Sequence, residues 1–340
     1  MKKILFTILL VGIMLSYNWN EANAEDGQSI SETIQQLEIQ KKKGTRSNFN
    51  SYMMKTIAET EESLINELSS HSIVVDPTNL EYLDVLNKII SEEIILDFSN
   101  KEEIYEYISV YQARIAPYQA DQTTNTESYN LFVNNRTELL QRTFESIKQE
   151  NMMQLLEADK INSQKNRSRA AVFNRKKPNL SAMNSYAKKF AMGYNSMQYP
   201  KYTNGDCTNF ASQILERSGL MSVNKRNDSG QVWYCDGNFN TTVAWRLAHS
   251  WALYWTAEGY PTRTFGDRQT NQVNSYAKAG DFLAYFTRGT YQINHITYVN
   301  RKDGNGNIRV SQHSGARYDD TWKNINVWSN YNQIISIRFT

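Results

Sequence analysis

Apolar positions recur every three or four residues through much of the first half of the chain. Leu80, Leu83, Leu86, Ile89 and Ile90 form one stripe of helical period, with Thr78 placed to cap it. Asn100 stands in the same relation to Ile104, Ile108 and Tyr111. Leu139, Leu140, Phe144, Ile147, Leu155 and Leu156 predict a third, longer helix, and Ile73-Val74-Val75 reads as a short strand. From Ser181, the positions Ala182, Met183, Tyr186, Ala187, Phe190 and Ala191 mark a helix ending near Gly193. A further helix begins at Cys207, buries Phe210, Ile214 and Leu215, and stops at Gly219; another spans about 242–257. After Gly280 the period changes to that of strands, over Asp281 to Phe286, Tyr291 to Asn300, Ile308 to His313 and Ile334 to Phe339. Asp303-Gly304-Asn305-Gly306-Asn307 is a turn between the second and third of them. Helices followed by an antiparallel sheet define an α+β arrangement.

Composition divides the chain in the same place. No glycine occurs between Gly44 and Gly193 and no tryptophan between Trp19 and Trp233, after which both are frequent. Residues 25–160 therefore read as a mainly helical domain, 161–180 as a basic linker, and 181–340 as the α+β domain. Charge follows the division. Residues 25–160 hold 12 Lys+Arg against 24 Asp+Glu, a net −12, and residues 161–340 hold 23 against 10, a net +13. The two signs allow mutual attraction of the halves, attraction of the basic half to a polyanion such as wall teichoic acid or nucleic acid, or ordinary surface charge. Ahead of these domains, Lys2-Lys3, the apolar run Ile4 to Leu15 and Ala22-Asn23-Ala24 have the form of a secretory signal over residues 1–24. The run is too short to cross a bilayer and no later segment is apolar enough, so a secreted product without a transmembrane anchor is expected.

Gly205-Asp206-Cys207-Thr208-Asn209-Phe210 puts a thiol in the first turn of a helix, where unpaired N–H groups and the helix dipole favour the thiolate. A cysteine nucleophile needs a base, and the base a polar group to orient it. His295 lies in the run His-Ile-Thr-Tyr-Val, and His313 ends the next strand. A hairpin symmetric about Gly304 sets the two imidazoles opposite one another; a slip of one residue sends His313 to the other face and brings Gln312 beside His295. His249, between Trp245 and Trp251, suits packing, as does the tryptophan cluster itself, with sugar stacking as the alternative. No spacing of Cys or His suggests a metal site.

Tyr-Asn-x-x-x-Tyr-Pro over 194–200, then Gly-Asp-Cys-Thr-Asn-Phe-x-Ser-Gln, Trp251, Gly280-Asp281, His295 and Ser311-Gln312-His313 together resemble the putative amidase domain family over about residues 181–340. That family is similar to NlpC-type and CHAP cell-wall hydrolases of papain-like fold. The resemblance implies Cys207 as nucleophile, His295 as base and His313 as the orienting residue, with Gln312 in reserve. It sets Asp206 and Tyr199 where the group shapes the nucleophile and the oxyanion or substrate site. It implies no metal and no organic cofactor. The glycine pair that many NlpC-type members carry upstream of the cysteine is absent. The expected activity is hydrolysis of an amide bond, in peptidoglycan, by a secreted or wall-associated enzyme. The basic half would contact anionic wall polymer, and nucleic acid is not an expected partner. Two alternatives stay open. One is a cysteine protease or acyltransferase on protein substrates with the acidic half as pro-region, and the other is a non-catalytic wall-binding module stapled by a Cys207–Cys235 disulfide.

Overall fold

The computed structural model describes residues 28–43, 51–90, 93–96, 100–121, 126–167, 176–202, 205–220, 227, 230–238, 240–266, 269–287, 289–322 and 331–340. The signal segment 1–24 and residues 168–175 of the basic stretch lie outside them. Helices α1 (Ile30–Lys43), α2 (Ile57–Ser70), α3 (Leu80–Ile90), α4 (Lys101–Arg114), α5 (Ala116–Asp121), α6 (Thr126–Leu140) and α7 (Phe144–Arg167) occupy the first half. Asn100 caps α4, its side chain accepting from the Glu103 N–H at 3.3 Å. A Thr56/Glu59 capping box starts α2.

Two expectations fail here for local reasons. Ile73-Val74-Val75 forms no strand, and Val74 is exposed. The long third helix is two helices, because the chain at 141–143 must turn to pair with the start of α2. The Ile57 N–H donates to the Arg142 carbonyl at 2.8 Å and the Phe144 N–H to that of Lys55, while Thr143 Oγ1 accepts from the Ser146 N–H and caps α7. The break lets Leu139, Phe144 and Ile147 enter one core with Leu64, Leu83, Ile104 and Tyr111.

The second half contains α8 (Leu180–Phe190), α9 (Cys207–Arg217), α10 (Val243–Arg246), α11 (Ala248–Ala257) and α12 (Thr270–Tyr276). Its strands are β1 (Thr262–Phe265), β2 (Phe282–Thr287), β3 (Ile293–Lys302), β4 (Ile308–Gln312), β5 (Arg317–Thr321) and β6 (Tyr331–Ile337). They form an antiparallel sheet in the order β1-β6-β2-β3-β4-β5. The α+β layout is thus as read from the sequence, with the edge strands β1 and β5 and the short α12 added. The helix expected over 242–257 is interrupted at Leu247, whose extended backbone ends α10 and starts α11. Trp233, Trp245, Trp251 and Trp255 are core, packed on one another between α9, α11 and one face of the sheet. The other face carries Leu283, Tyr285, Val299, Val310 and Trp322.

The helical half does not end where composition changes. Ile30 and Ile34 of α1 and Leu155 and Ala158 of α7 belong to the same core as the tryptophans. Instead of giving way to an exposed linker after residue 160, α7 continues to Arg167; Ile161 and Asn162 are buried, and Asn162 Nδ2 donates to the Tyr260 carbonyl at 2.8 Å. The tightest joint is at Glu106 on α4. Its buried carboxylate accepts from the Thr287 hydroxyl (2.6 Å), the Gly289 N–H (2.7 Å) and both the N–H (2.8 Å) and hydroxyl (2.6 Å) of Thr290, all in the turn between β2 and β3. Gly289 is required by this approach, since a Cβ there would stand 2.8 Å from the Glu106 carboxyl carbon and 2.9 Å from the Tyr52 hydroxyl. Arg114 and Asn151 extend the joint by donating to Gln292 Oε1 at 3.2 and 3.3 Å.

A buried carboxylate that accepts four donors tolerates no donor in its place. Glu106→Gln turns an amide NH2 toward N–H groups, and we expect a loss of about 2–4 kcal/mol of stability, read by denaturant unfolding of the full chain.

Candidate active site

The loop before α9 is shaped so that the helix begins with Cys207 under a wall of the cleft. Gly205 takes a positive φ of 122° that few other residues accept. Asp206 then fixes the turn: its Oδ1 accepts from the Tyr202 N–H (3.1 Å) and from Asn209 Nδ2 (2.8 Å), and Asn209 Nδ2 also reaches the Pro200 carbonyl (2.8 Å). Asp206 is the N-cap residue, yet its side chain makes no cap bond to α9. The N–H groups of the first turn are the ones an α-helix cannot satisfy internally, so they remain available at the sulfur. Asn209 Oδ1 accepts from Trp245 Nε1 and Ser212 Oγ from Trp233 Nε1, which anchors the helix on the tryptophan core.

Cys207 is 5 % exposed; its Sγ lies 3.7 Å from the Thr208 hydroxyl and 3.9 Å from the Asn294 carbonyl oxygen. His295, on β3, adjoins it. Burial by itself raises the thiol, but the His295 charge, a hydrogen bond from that ring, the Ile296 N–H and the Thr208 hydroxyl outweigh it and hold Cys207 below the ordinary thiol range. Burial likewise lowers His295, and the Cys207 charge, its hydrogen bond and the Gln312 side chain together push the imidazole above its ordinary value. The two shifts have a common origin, the mutual interaction of the Cys207 thiol and the His295 ring.

The side chain behind His295 is Gln312, not His313. In the hairpin, Lys302 pairs with Ile308, which centres the turn on Asn305 instead of Gly304, and a bulge between Val299 and Arg301 takes back one residue, so that Tyr298 pairs with Ser311. The net slip of one residue puts Gln312 on the face of His295 and Thr297. Its orientation is determined as well. Gln312 Nε2 donates to the carbonyls of Ser314 (3.3 Å) and Gly315 (3.2 Å), which turns Oε1 inward, buried and bonded to no other group among the described residues. The Gln312 side chain is also one of the groups that raise the His295 pKa.

The same slip corrects the reading of His313. This ring faces α8 and α9, stacked on Phe210 at 4.1 Å between centroids and flanked by Tyr194. Its Nδ1 makes a short contact with Asp206 Oδ2, and its Nε2 donates to the Phe190 carbonyl at 2.9 Å. A carbonyl accepts only, so Nε2 carries hydrogen, and the contact of Nδ1 with the carboxyl holds a further proton between the two groups. Both residues are buried. Asp206 consequently serves the helix start and does not reach into the cleft. Tyr199 is also displaced from its expected place: it is buried, stacked on Trp245, and its hydroxyl donates to Glu216. His249 is a core residue. Its Nδ1 accepts from the Ile293 N–H (3.2 Å), its Nε2 meets Gln154 Oε1 (3.1 Å), and burial, with a smaller effect of Arg114, pushes its pKa down to about 3. Cys207 and Cys235 are not joined by a disulfide, which removes the staple; burial pushes Cys235 up to about 12.

Cys207 and His295 open on a cleft of about 530 Å³ between the two halves. Asp84, Asn87 and Lys88 of α3 and Gln112 of α4 form one wall; Tyr202, Arg246, Asn294 and Tyr331 contribute to the other. No sequence signal marked these residues, because only the docking of the helical half brings them to the cysteine. Among the described residues no cluster of Cys, His, Asp or Glu suits a metal ion, and no helix is long and apolar enough to cross a membrane.

The α+β domain thus sets a cysteine at a helix start, an imidazole on the adjoining strand and an amide side chain on the same face, at the mouth of a cleft. Residues 177–338 match the model of a family described as a putative amidase domain, a description that points to amide-bond hydrolysis. No curated protein and no solved structure matches the chain.

The paired shifts have a direct consequence for pH. The thiolate forms as pH rises through the lowered Cys207 value. The midpoint of Cys207 alkylation by iodoacetamide should therefore lie below the ordinary thiol pKa of about 8.5. Cys235 should stay unmodified there, and His295→Ala should move the Cys207 profile upward, all read by peptide mass spectrometry. The two candidate third residues separate in the same assay. His313→Ala leaves Asp206 buried without its partner and should cost about 3–5 kcal/mol of stability. Gln312→Ala should change stability little and slow Cys207 alkylation at neutral pH by roughly tenfold.

Proposed function

We propose that the protein is a secreted cysteine amidohydrolase that cleaves an amide bond of peptidoglycan. The observation that carries this reading is the Cys207–His295 pair at the start of α9, facing an open cleft, inside a domain of an amidase family. The Cys207 thiolate attacks the carbonyl carbon, and N–H groups of the first turn of α9 accept the charge that develops on oxygen. His295 then gives its proton to the departing amine, which leaves an acyl group on sulfur. Water attacks that thioester, its proton passes to His295, and the acid departs as the thiolate–imidazolium pair returns. Gln312 holds the ring in the tautomer and orientation this sequence needs, the role of an orienting third residue.

Export rests on the charged, apolar and Ala-x-Ala segments of residues 1–24, and the wall substrate on export together with the likeness to NlpC-type and CHAP hydrolases. The basic second half would favour contact with anionic wall polymer, and the reading requires no cofactor. Purified peptidoglycan digested with the wild type should yield new free amines, identified by mass spectrometry. Cys207→Ala should lower their rate of release by roughly 10³ or more. Equal release by the two proteins would refute the mechanism, and no release by the wild type would refute the substrate.

A further inference from the structure

The chain from Lys176 to Gly205 carries five lysines, Lys176, Lys177, Lys188, Lys189 and Lys201, and no acidic residue. All five are exposed, and none forms an ion pair among the described residues. The acids that follow, Asp206 and Glu216, are bound to His313 and to the Tyr199 hydroxyl. In the same stretch, the loop from α8 to α9 presents large apolar side chains to solvent: Met192 is 69 % exposed, Tyr194 43 % and Met197 91 %. Their exposure is built into the turn. Asn195 Nδ2 donates to the Tyr186 hydroxyl at 3.2 Å and to Gln198 Oε1 at 2.9 Å, and the Asn195 carbonyl accepts from the N–H groups of Gln198 (3.1 Å) and Tyr199 (3.0 Å). With the Tyr199 ring buried beyond it, the turn is pinned to the core and keeps the methionines outside. Lys201 Nζ lies 4.5 Å from the Tyr194 ring centroid and Lys189 Nζ 5.0 Å from that of Phe190, so cationic heads stand directly beside apolar side chains. Single exposed apolar residues are ordinary. Three between positions 192 and 197, flanked by lysines with no acid among them, form a patch of defined chemistry.

We propose that this loop and the lysines around it form a seat for an anionic lipid bilayer, the ammonium groups meeting the headgroups while Met192, Tyr194 and Met197 enter the boundary with the acyl chains. The negative surface potential of such a bilayer makes each lysine worth about fivefold in binding. Burial of the methionines adds the gain of apolar surface leaving water. A tyrosine, with an apolar ring and a polar tip, suits the boundary between the two media. A soluble polyanion would engage the lysines alone and leave the methionines in water, so it is the apolar side chains that favour lipid. The seat does not depend on the chemistry at Cys207. The loop nevertheless runs on to Tyr202 and Gly205 in the wall of the cleft, so a protein seated this way holds its cleft close to the lipid surface.

Residues 25–340 contain every described residue, so the measurement uses that chain, free of the apolar run Ile4 to Leu15, in co-sedimentation with vesicles. Vesicles of equimolar phosphatidylcholine and phosphatidylglycerol should bind it, and vesicles of phosphatidylcholine alone should bind it at least about tenfold more weakly. The double variant Met192→Ser/Met197→Ser keeps every charge and should weaken binding to the anionic vesicles by about tenfold or more. The triple variant Lys188→Gln/Lys189→Gln/Lys201→Gln should weaken it by about thirtyfold or more, and added salt should weaken binding of the wild type. All five substituted side chains are exposed, so the variants probe contact with lipid and leave the core intact. Absence of binding to the anionic vesicles would overturn the proposal. So would a double serine variant that binds within about threefold of the wild type, a result that would assign the lysines to a polyanion in water.

Discussion

The contact between Asp206 and His313 decides how the reactive residues meet. Two buried polar side chains, one at the start of the cysteine helix and one at the end of β4, share a proton and are each held by further bonds, Asp206 to Tyr202 and Asn209 and His313 to the carbonyl that ends α8. Either group alone in that place would leave an unpaired charge or donor in the core, at a cost of several kcal/mol. The pair therefore forms as a unit, and it ties α8, α9 and β4 together at one point. It also selects a strand register. With His313 turned toward the helices, Gln312 must face the other side of the sheet, where His295 stands. His313 thus acts by placing the helix, and Gln312 beside it lies on the face of His295.

The helical half is attached by the same kind of contact. Glu106 inserts a carboxylate into the turn from Thr287 to Thr290, which leads directly into the strand of His295. Around it, Arg114, Asn151, Gln154 and Glu38 reach Gln292, Thr290, His249 and Tyr291. This polar seam is backed by apolar packing of α1 and α7 into the tryptophan core. The two halves thus meet through specific buried hydrogen bonds to neutral groups, which last at salt concentrations that screen exposed charges.

Much of this arrangement was legible in the chain. The stripes of α3 and α4, the Asn100 cap, the cysteine helix with its stop at Gly219 and the four central strands all follow from period and punctuation, because each depends on neighbours in sequence. Cys207 was legible through its helix start and His295 through its strand. The third residue was not. Its identity turns on the centre of the Asp303–Asn307 turn and on the bulge at residue 300, and each moves the register by one without a change in composition. Tyr199 and Asp206 were correctly near the cysteine in sequence, but their side chains point into packing that only the tertiary fold creates. The cleft wall from α3 and α4 had no local signature, being defined by docking alone.

That docking bears on what the acidic half is for. A pro-region that silences an active site fills it, whereas here a cavity of about 530 Å³ remains between the halves with Cys207 and His295 both opening on it. Removing the acidic half would take Ile30, Ile34, Leu155 and Ala158 out of the core and uncover their apolar partners around Trp251 and Trp255. It would also withdraw Glu106 from the turn that leads into the strand of His295, leaving the N–H groups of Gly289 and Thr290 and two threonine hydroxyls to water. A segment that completes the core, braces the strand of His295 and walls the cleft is structurally inseparable from the site. The geometry favours a helical half that shapes access to the cleft over one that must be shed to open it.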